Sequence, residues 1–381
     1  MTSTEHGAAP TTLRPENLHE ARDAVLDTPG SLGITGAGTA ADWAGRLRDV
    51  DAVLDLSGLH GIIAHNPGDM TVSVHAGTPL RDLQAELAEH GQHVSLDAAR
   101  IADGATVGGL VATADAGPSA LVHGGMRDLV IGTTTLLADG TVARSGGHVI
   151  KNVAGYDLAK LMHGSYGTLG ALVEVVLRLH PTPKATGTVA LACPLAEAAG
   201  HASRVLESPL EPTALEWISG ERSTSEQGRL LVRIESTEAA LPARMERVAA
   251  LLGAGAETTS DDVWDVHVSL VRGSGDGAVL RIGARPSRLP GLLAGLPCTT
   301  VTAGLGTGVA TVTVPGTAVA EAHEAVHAVG GTSVLRRRPA GLDAPAWGPP
   351  PSALAVLNAV KAQFDPDGRF GPGRFDPWEI P

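Results

Sequence analysis

Two glycine clusters hold the residues best placed, by type and spacing, to do chemistry. Gly36-Ala37-Gly38-Thr39-Ala40-Ala41 follows the apolar run Ser31-Leu32-Gly33-Ile34-Thr35 and fits the pattern GxGxx[G/A]. Asp55 stands about 20 residues further on, near the end of the next apolar run. Glycines in such a turn admit a pyrophosphate to the backbone, and the later acid holds a ribose, so the spacing nearly meets a dinucleotide fingerprint. A plain turn is the competing reading. Two features weigh against a nicotinamide fold. The segment that should cross over, ADWAGRLRDV, is short, contains Gly45 and lacks a sustained apolar stripe. The strands that follow lie close together in hairpin fashion, whereas parallel neighbours need a helical crossover. The second cluster, GATVGGLVATADAG over 104–117, has Asp115 as its one charged residue and sets Gly108-Gly109 at a helix start. Free N–H groups there would suit a phosphate. Two separated loops can clamp one pyrophosphate from both sides.

Other constellations are weaker. His323-Glu324-Ala325-Val326-His327 matches HExxH, the zinc pattern of a helix with a glutamate base. No third ligand follows at a suitable distance, and TAVAEAHEAVHAVGG reads as an ordinary amphipathic helix. Arg336-Arg337-Arg338 reads as a solvated strand edge, with contact to an acidic partner as the alternative, because alternate strand residues face opposite sides. His148, Lys151, Asn152, Tyr156 and His163 lie in or beside a glycine-rich stretch over 145–170. Lys151 or a histidine there could anchor a carboxylate or stabilise a developing anion. A histidine could also accept a hydroxyl proton. Loop capping and packing are the competing roles. Trp43, Trp217, Trp264, Trp347 and Trp378 are scattered and read as packing residues.

The elements that must position these residues belong to a chain of 381 residues, 43% hydrophobic and 18% charged, too apolar for disorder and long enough for two or three domains. A net charge of −13 argues against a dedicated nucleic-acid binder. The 2 cysteines, Cys193 and Cys298, form no CxxC, so no iron–sulfur site and no disulfide framework is expected. No apolar run suits a membrane span, and the first residues do not read as a secretory signal. A cytoplasmic setting fits.

The pattern predicts a disordered tail over 1–12, a helix within 15–28, and strands at 31–35, 52–56, 61–64 and 71–75. A helix starts at Pro79. A hairpin turns at Asp139-Gly140, the strand ALVEVVLRL follows, and His180–Pro183 reads as a linker. Over 186–340, strands and amphipathic helices alternate as in an α+β domain with an antiparallel sheet, in two related halves. Residues 341–381 form a loop, a helix and a proline-rich tail.

GATVGGLVATADAGPSALVHGGMRDLVIGTTTLLADG, then GGHVIKNVAGYDLAKLMHGSYGTLGALVEVVLRLHP, and at the end FDPDGRFGPGR, closely resemble the FAD-binding subunits of bacterial glycolate oxidases, within the vanillyl-alcohol-oxidase/PCMH-type superfamily. The resemblance is strongest over 30–182. It implies an α+β fold: a two-lobed FAD domain over 13–183, a smaller α+β cap over 186–340, and a segment over 341–381 that returns to the FAD domain. Thr35, Gly36, Ala37, Gly38 and Thr39, with Ala105, Thr106, Val107, Gly108 and Gly109, would cradle the pyrophosphate. Gly117, Arg127 and Asp128 match positions near the flavin and its phosphates, with Arg127 balancing charge. Gly170 and Val173 match the segment passing the flavin ring and adenosine. Thr39 stands where covalent relatives carry a histidine, which implies non-covalent FAD. Gly371 replaces the usual asparagine of NPGR. No His-x-His or HxxGD motif is present, so no metal and no catalytic residue is assigned.

The implied activity is oxidation of glycolate, or a similar small 2-hydroxyacid, to the 2-oxoacid. The implied partners are a second flavin subunit and an iron–sulfur subunit, which could hold the chain peripherally at the inner membrane face. A non-catalytic FAD-holding subunit, a stand-alone FAD-dependent alcohol oxidase and a nicotinamide dehydrogenase are the alternatives.

Overall fold

The computed structural model describes residues 9–149, 157–220, 227–378 and 380. Lys151, Asn152 and Tyr156 lie outside them. The architecture is α+β, built on three main sheets.

The first sheet is small and parallel. Thr11–Leu13 and Leu32–Thr35 flank Ala52–Asp55. The tail expected over 1–12 therefore gives way to a strand at Thr11. Helix Leu18–Asp27 covers this sheet, its start capped by the Asn17 side chain, which accepts from the Glu20 N–H at 3.0 Å. Ala21 and Val25 face Leu32, Leu54 and Phe370 in one apolar cluster. The pairing of Leu32–Thr35 with Ala52–Asp55 is parallel without a crossover helix, while the hairpin expected among the following strands forms between Ile62–Asn66 and Thr71–His75. Turns and bends, with no helix, carry the chain over residues 36–50 between the two parallel strands.

The second sheet has five antiparallel strands in the order Ile62–Asn66, Thr71–His75, Ala171–Arg178, Val130–Leu136, Val142–Gly146. Helices Leu80–Ala88 and Val107–Ala112 pack their leucines and valines on it. His180–Pro181, expected as linker, instead pairs antiparallel with Gln92–His93.

The third sheet has eight strands and two matching halves. Ala185–Ala192, Ala214–Ser219, Arg229–Ser236 and Ala256–Thr259, with two helices, form the first. Ala278–Gly283, Thr300–Gly304, Val309–Val314 and Thr332–Arg337, again with two helices, form the second. The halves join edge to edge where Ala214–Ser219 pairs with Thr300–Gly304. Each half reads strand-helix-strand-strand-helix-strand. All four helices bury their apolar stripes on one sheet face, in one core that contains Val205, Val248, Leu293 and Val326. The opposite face is polar, and it looks toward the first two sheets.

The C-terminal segment ties these units together. Helix Leu354–Phe364 buries Lys361 to 1% exposure. Its ammonium donates to Asp365 Oδ2 at 2.6 Å, Thr168 O at 2.8 Å and Phe370 O at 3.0 Å. Asp365 in turn accepts from the N–H groups of Arg369 and Phe370. Arg369 donates to the carbonyls of Val25, Thr28, Gly30 and Ala138. Gly371 has a left-handed φ of +60°, and a Cβ there would meet Thr168 Cγ2 at 2.9 Å, so glycine suits this position in both conformation and space. Lys361→Ala strips Asp365 of its counter-charge in a dry site. It is expected to cost about 3–5 kcal/mol, read as a fall in the urea midpoint.

Candidate FAD site

Strand Leu32–Thr35 delivers the first glycine loop into a cavity of about 850 Å³. Thr35, Gly36, Ala37, Gly38 and Thr39 line one wall, and Ala105, Thr106, Gly108 and Gly109 line the facing one, with Gly170 beside them. The walls approach so closely that a Cβ on Gly36 would lie 2.5 Å from Thr106 Oγ1. Gly108 is squeezed likewise: its Cβ would meet that of Ala76 at 2.8 Å. Val107 and Val173 are buried in apolar packing behind the wall, and Leu172 lines the cavity.

The donors are not where the sequence placed them. At the helix start, Val107 N–H donates to Thr78 O at 2.9 Å, Gly108 N–H to Ala76 O at 2.8 Å and Gly109 N–H to Thr106 Oγ1 at 3.2 Å. The second loop therefore offers close backbone approach rather than free N–H groups. In the first loop, the N–H groups of Ala37, Gly38, Thr39 and Ala40 donate to no protein acceptor among the described residues. Gly38, at φ +71°, lets the loop turn these donors together.

Two guanidinium groups line the same cavity, and the sequence reading assigned neither. Arg374, from the C-terminal FGPGR, donates to the carbonyls of Ala41, Trp43 and Gly45. Arg100 lies with its Cζ 3.2 Å from the Trp43 ring centroid, and burial lowers its pKa to about 10, so it stays charged at neutral pH. Arg336 covers the other face of Trp43 at 3.6 Å. Asp115, 2% exposed, binds Arg336 at 2.8 Å and Arg100 at 3.5 Å.

Arg336 is 5% exposed, which corrects the expectation of a solvated edge. Its strand carries a bulge here. Leu280 opposes Leu335 and Val279 opposes Arg337, so Arg336 is the extra residue on its strand. It shares the sheet face of Arg281 and Val334, and its side chain reaches across to Asp115 and the Trp43 ring. Tyr166, at a left-handed φ of +52°, also lines the cavity and meets Trp347 edge-on at 5.5 Å.

A second cavity lies beyond Asp115, between the polar face of the eight-stranded sheet and residues 114–128. Gly117, Arg127 and Asp128 line it, with His163, Glu216, His267, Arg281 and Arg336. Gly117 is also required by packing, because a Cβ there would meet Asp97 O at 2.3 Å. Asp128 accepts from Gly125 N–H at 3.1 Å.

Residues 14–146 match the FAD binding domain family. This stretch is an FAD-binding domain. Over 211 residues the chain is 33% identical to glycolate oxidase subunit GlcE of Escherichia coli (strain K12), across 55% of this chain and 56% of that protein. It is 35% identical over 192 residues to D-lactate dehydrogenase of Archaeoglobus fulgidus, across 47% of this chain and 42% of that protein. It is 34% identical over 160 residues to mitochondrial D-lactate dehydrogenase [cytochrome] 1 of Saccharomyces cerevisiae, across 42% of this chain and 27% of that protein. The matches thus span about half, or less, of these relatives. Solved structures of alkyldihydroxyacetonephosphate synthase share the fold, with a TM-score of 0.67 at 16% identity over 95% of this chain and 75% of that one.

The FAD-binding domain fits its cofactor. Four unengaged N–H groups and two guanidinium groups meet the needs of a diphosphate, and the close-set glycines leave the space open. The nicotinamide alternative falls with this match. Its ribose acid, Asp55, is spent on the Ser57 N–H at 2.9 Å and on Arg14 at 3.8 Å, outside the cavity.

The remaining candidates sit elsewhere. His148 Nδ1 is shared with Thr71 Oγ1 and Asn66 Nδ2 at the sheet edge. Both ring nitrogens of His323 are engaged, by Ser333 Oγ and Pro345 O, while His327 is exposed on the same helix. Trp217 packs in the core and donates to Cys193 O at 3.0 Å. Asp115→Ala leaves Arg100 and Arg336 facing each other across Trp43 without an anion. It is expected to cost about 3–5 kcal/mol, with a red shift of tryptophan emission as the accompanying readout.

Proposed function

We propose that this chain is the FAD-holding subunit of a multi-subunit flavoprotein that oxidises glycolate, or a similar small 2-hydroxyacid, to the 2-oxoacid. The observation that carries the reading is the first cavity, whose free N–H groups and two arginines face a glycine wall and whose Asp115 is ion-paired to Arg336 on the wall of a second cavity. The names of the relatives, glycolate oxidase subunit and D-lactate dehydrogenase, support the substrate class. The proposal divides the chain into an FAD domain over 13–183, a cap over 186–340 and a returning segment over 341–381.

When bound, FAD supplies the two-electron acceptor. The chain's own part is to hold and screen it. Ala37, Gly38 and Thr39 would donate to the diphosphate, Arg100 and Arg374 would balance its charge, and Tyr166 would shield one side. Thr39 stands in the first loop and no histidine or cysteine lines the cavity among the described residues, which supports the reading of non-covalent attachment. With two cysteines, one buried and one partly so, the chain cannot ligate a four-cysteine cluster. An iron–sulfur relay, and any hold on the inner face of the membrane, would come from partner subunits. No helix among the described residues is long and apolar enough to cross a membrane.

Gly109→Glu projects a carboxylate into the cavity, where a Cβ meets only Thr106 Oγ1 at 3.0 Å. Retention of FAD through gel filtration is expected to fall at least tenfold with the circular dichroism unchanged. A variant that keeps its full FAD would overturn the cavity assignment. Acid precipitation of the wild-type holoprotein is expected to release all flavin to the supernatant. Flavin that stays in the pellet would refute non-covalent attachment.

A further inference from the structure

The second cavity holds a cation that the fold leaves without a partner. Strand Ala278–Gly283 reads AVLRIG, with Arg281 as its one charged residue. Register fixes where Arg281 stands. It lies opposite Thr311 on one side and Val334 on the other, Thr311 lies opposite Thr302, and Thr302 opposite Ile218, next but one to Glu216. These residues share the polar face of the eight-stranded sheet, away from the helices. Arg281 makes no hydrogen bond or ion pair with any described residue, although it is partly buried. Its neighbour Arg336 spends Nη1 on Asp115, but Nε and Nη2 are buried with no partner. Leaving donors and charge unmet in a buried site costs several kcal/mol unless a ligand meets them.

We propose that this cavity binds the carboxylate of a small organic acid, with Arg281 as principal ligand and Arg336 as second. The nearby protein carboxylates are already committed. Asp115 serves Arg100 and Arg336, Glu216 lies 3.5 Å from His267, and Asp128 caps Gly125. Arg281 therefore stands as an uncompensated cation of the cavity, with the exposed Arg127 on the same lining, on a chain whose net charge is −13. Burial, with Arg281 and Arg127 nearby, pushes the His163 pKa down to about 4, so at neutral pH this ring on the cavity wall hydrogen-bonds as a neutral group and adds no further cation. A positively charged wall with several free N–H donors suits a planar carboxylate, which a guanidinium grips through two parallel hydrogen bonds. The space, about 1170 Å³, admits a small acid without rearrangement. That the acid is a 2-hydroxyacid rests on the function proposed above; that the cavity binds a carboxylate does not.

The test uses the full chain, with and without FAD. Isothermal titration with glycolate, oxalate and inorganic phosphate reads anion binding, while flavin absorbance separately reads cofactor content. Wild-type protein is expected to bind glycolate and oxalate in both forms, and phosphate at least tenfold more weakly. Arg281→Leu is expected to weaken carboxylate binding at least tenfold, with FAD content unchanged and the thermal midpoint unchanged or raised. Arg281→Lys is expected to restore part of the affinity. Three outcomes overturn the site: wild-type protein that binds no carboxylate, an Arg281→Leu variant that binds as well as wild type, or phosphate that binds as tightly as glycolate. A chain that binds glycolate but holds no FAD would sink the proposed function and leave the site standing.

Discussion

The buried contact of Asp115 with Arg100 and Arg336 is the interaction on which the geometry of both cavities depends. Asp115 closes the FAD-side loop, Arg100 comes from the same unit, and Arg336 reaches in from the eight-stranded sheet. Trp43 lies between the two guanidinium groups, so cation–π contact adds to the ion pairs. Two arginines this close repel each other unless an anion sits between them, and a buried carboxylate needs both to offset its desolvation. The three residues are therefore coupled. Because Trp43 belongs to the first glycine loop, the same contact fixes the loop that carries the free N–H donors. The next residue, Ala44, donates its N–H to Leu335 O at 2.9 Å, and Gly45 donates to Arg374 O at 3.0 Å. The loop is thus held from the cap and from the C-terminal segment at once.

That arrangement explains why a loop without a helix can present a row of unengaged N–H donors. An isolated turn of this length would sample many conformations, and ordering it costs about 1–2 kcal/mol per residue. Here the order is imposed from outside. Arg374 gathers three carbonyls of the loop. With these carbonyls turned toward Arg374, the N–H groups of Ala37–Ala40 remain without acceptors. The second loop is the opposite case. Its first N–H groups are consumed by Ala76 and Thr78, which press the glycines close to the cavity. One wall donates, and the other leaves room.

How much of this was legible in the sequence depends on the range of the interactions involved. The glycine clusters marked both cavity walls because glycine is needed wherever backbone approaches its neighbours closely, as Gly36 does Thr106. The division of labour between the walls was not legible, because it depends on which carbonyls lie opposite each N–H, a tertiary fact. Arg336 reads locally as one of three exposed arginines. Its burial follows from contact with Asp115 and Trp43, more than 200 residues away in sequence, for which the strand itself gives no signal. Arg127 and Asp128 were placed near the phosphates from a motif, yet Arg100 and Arg374 are the guanidinium groups that line that cavity. Arg374 ends FGPGR, but only folding shows that a segment more than 300 residues away in sequence returns beside Ala41. The parallel pairing of Leu32–Thr35 with Ala52–Asp55 was missed for a related reason: a crossover was expected to need a helix, and the ordered turns stand in for one.

The eight-stranded sheet shows why a site should form where the cap meets the FAD domain. Two similar halves, joined at the pairing of Ala214–Ser219 with Thr300–Gly304, place every covering helix of the pair on one face. A sheet with helices on one side alone must solvate or cover the other, and here that face carries Thr302, Thr311, Glu216 and Arg281. Helix Asp262–Arg272 covers part of it, through Val263 against Ile218 and His267 against Glu216. The FAD domain approaches the remainder without filling it. Polar side chains that neither pack nor pair are retained at a cost in stability, and Arg281, two strands beyond the junction of the halves, faces residues 114–128 across the second cavity.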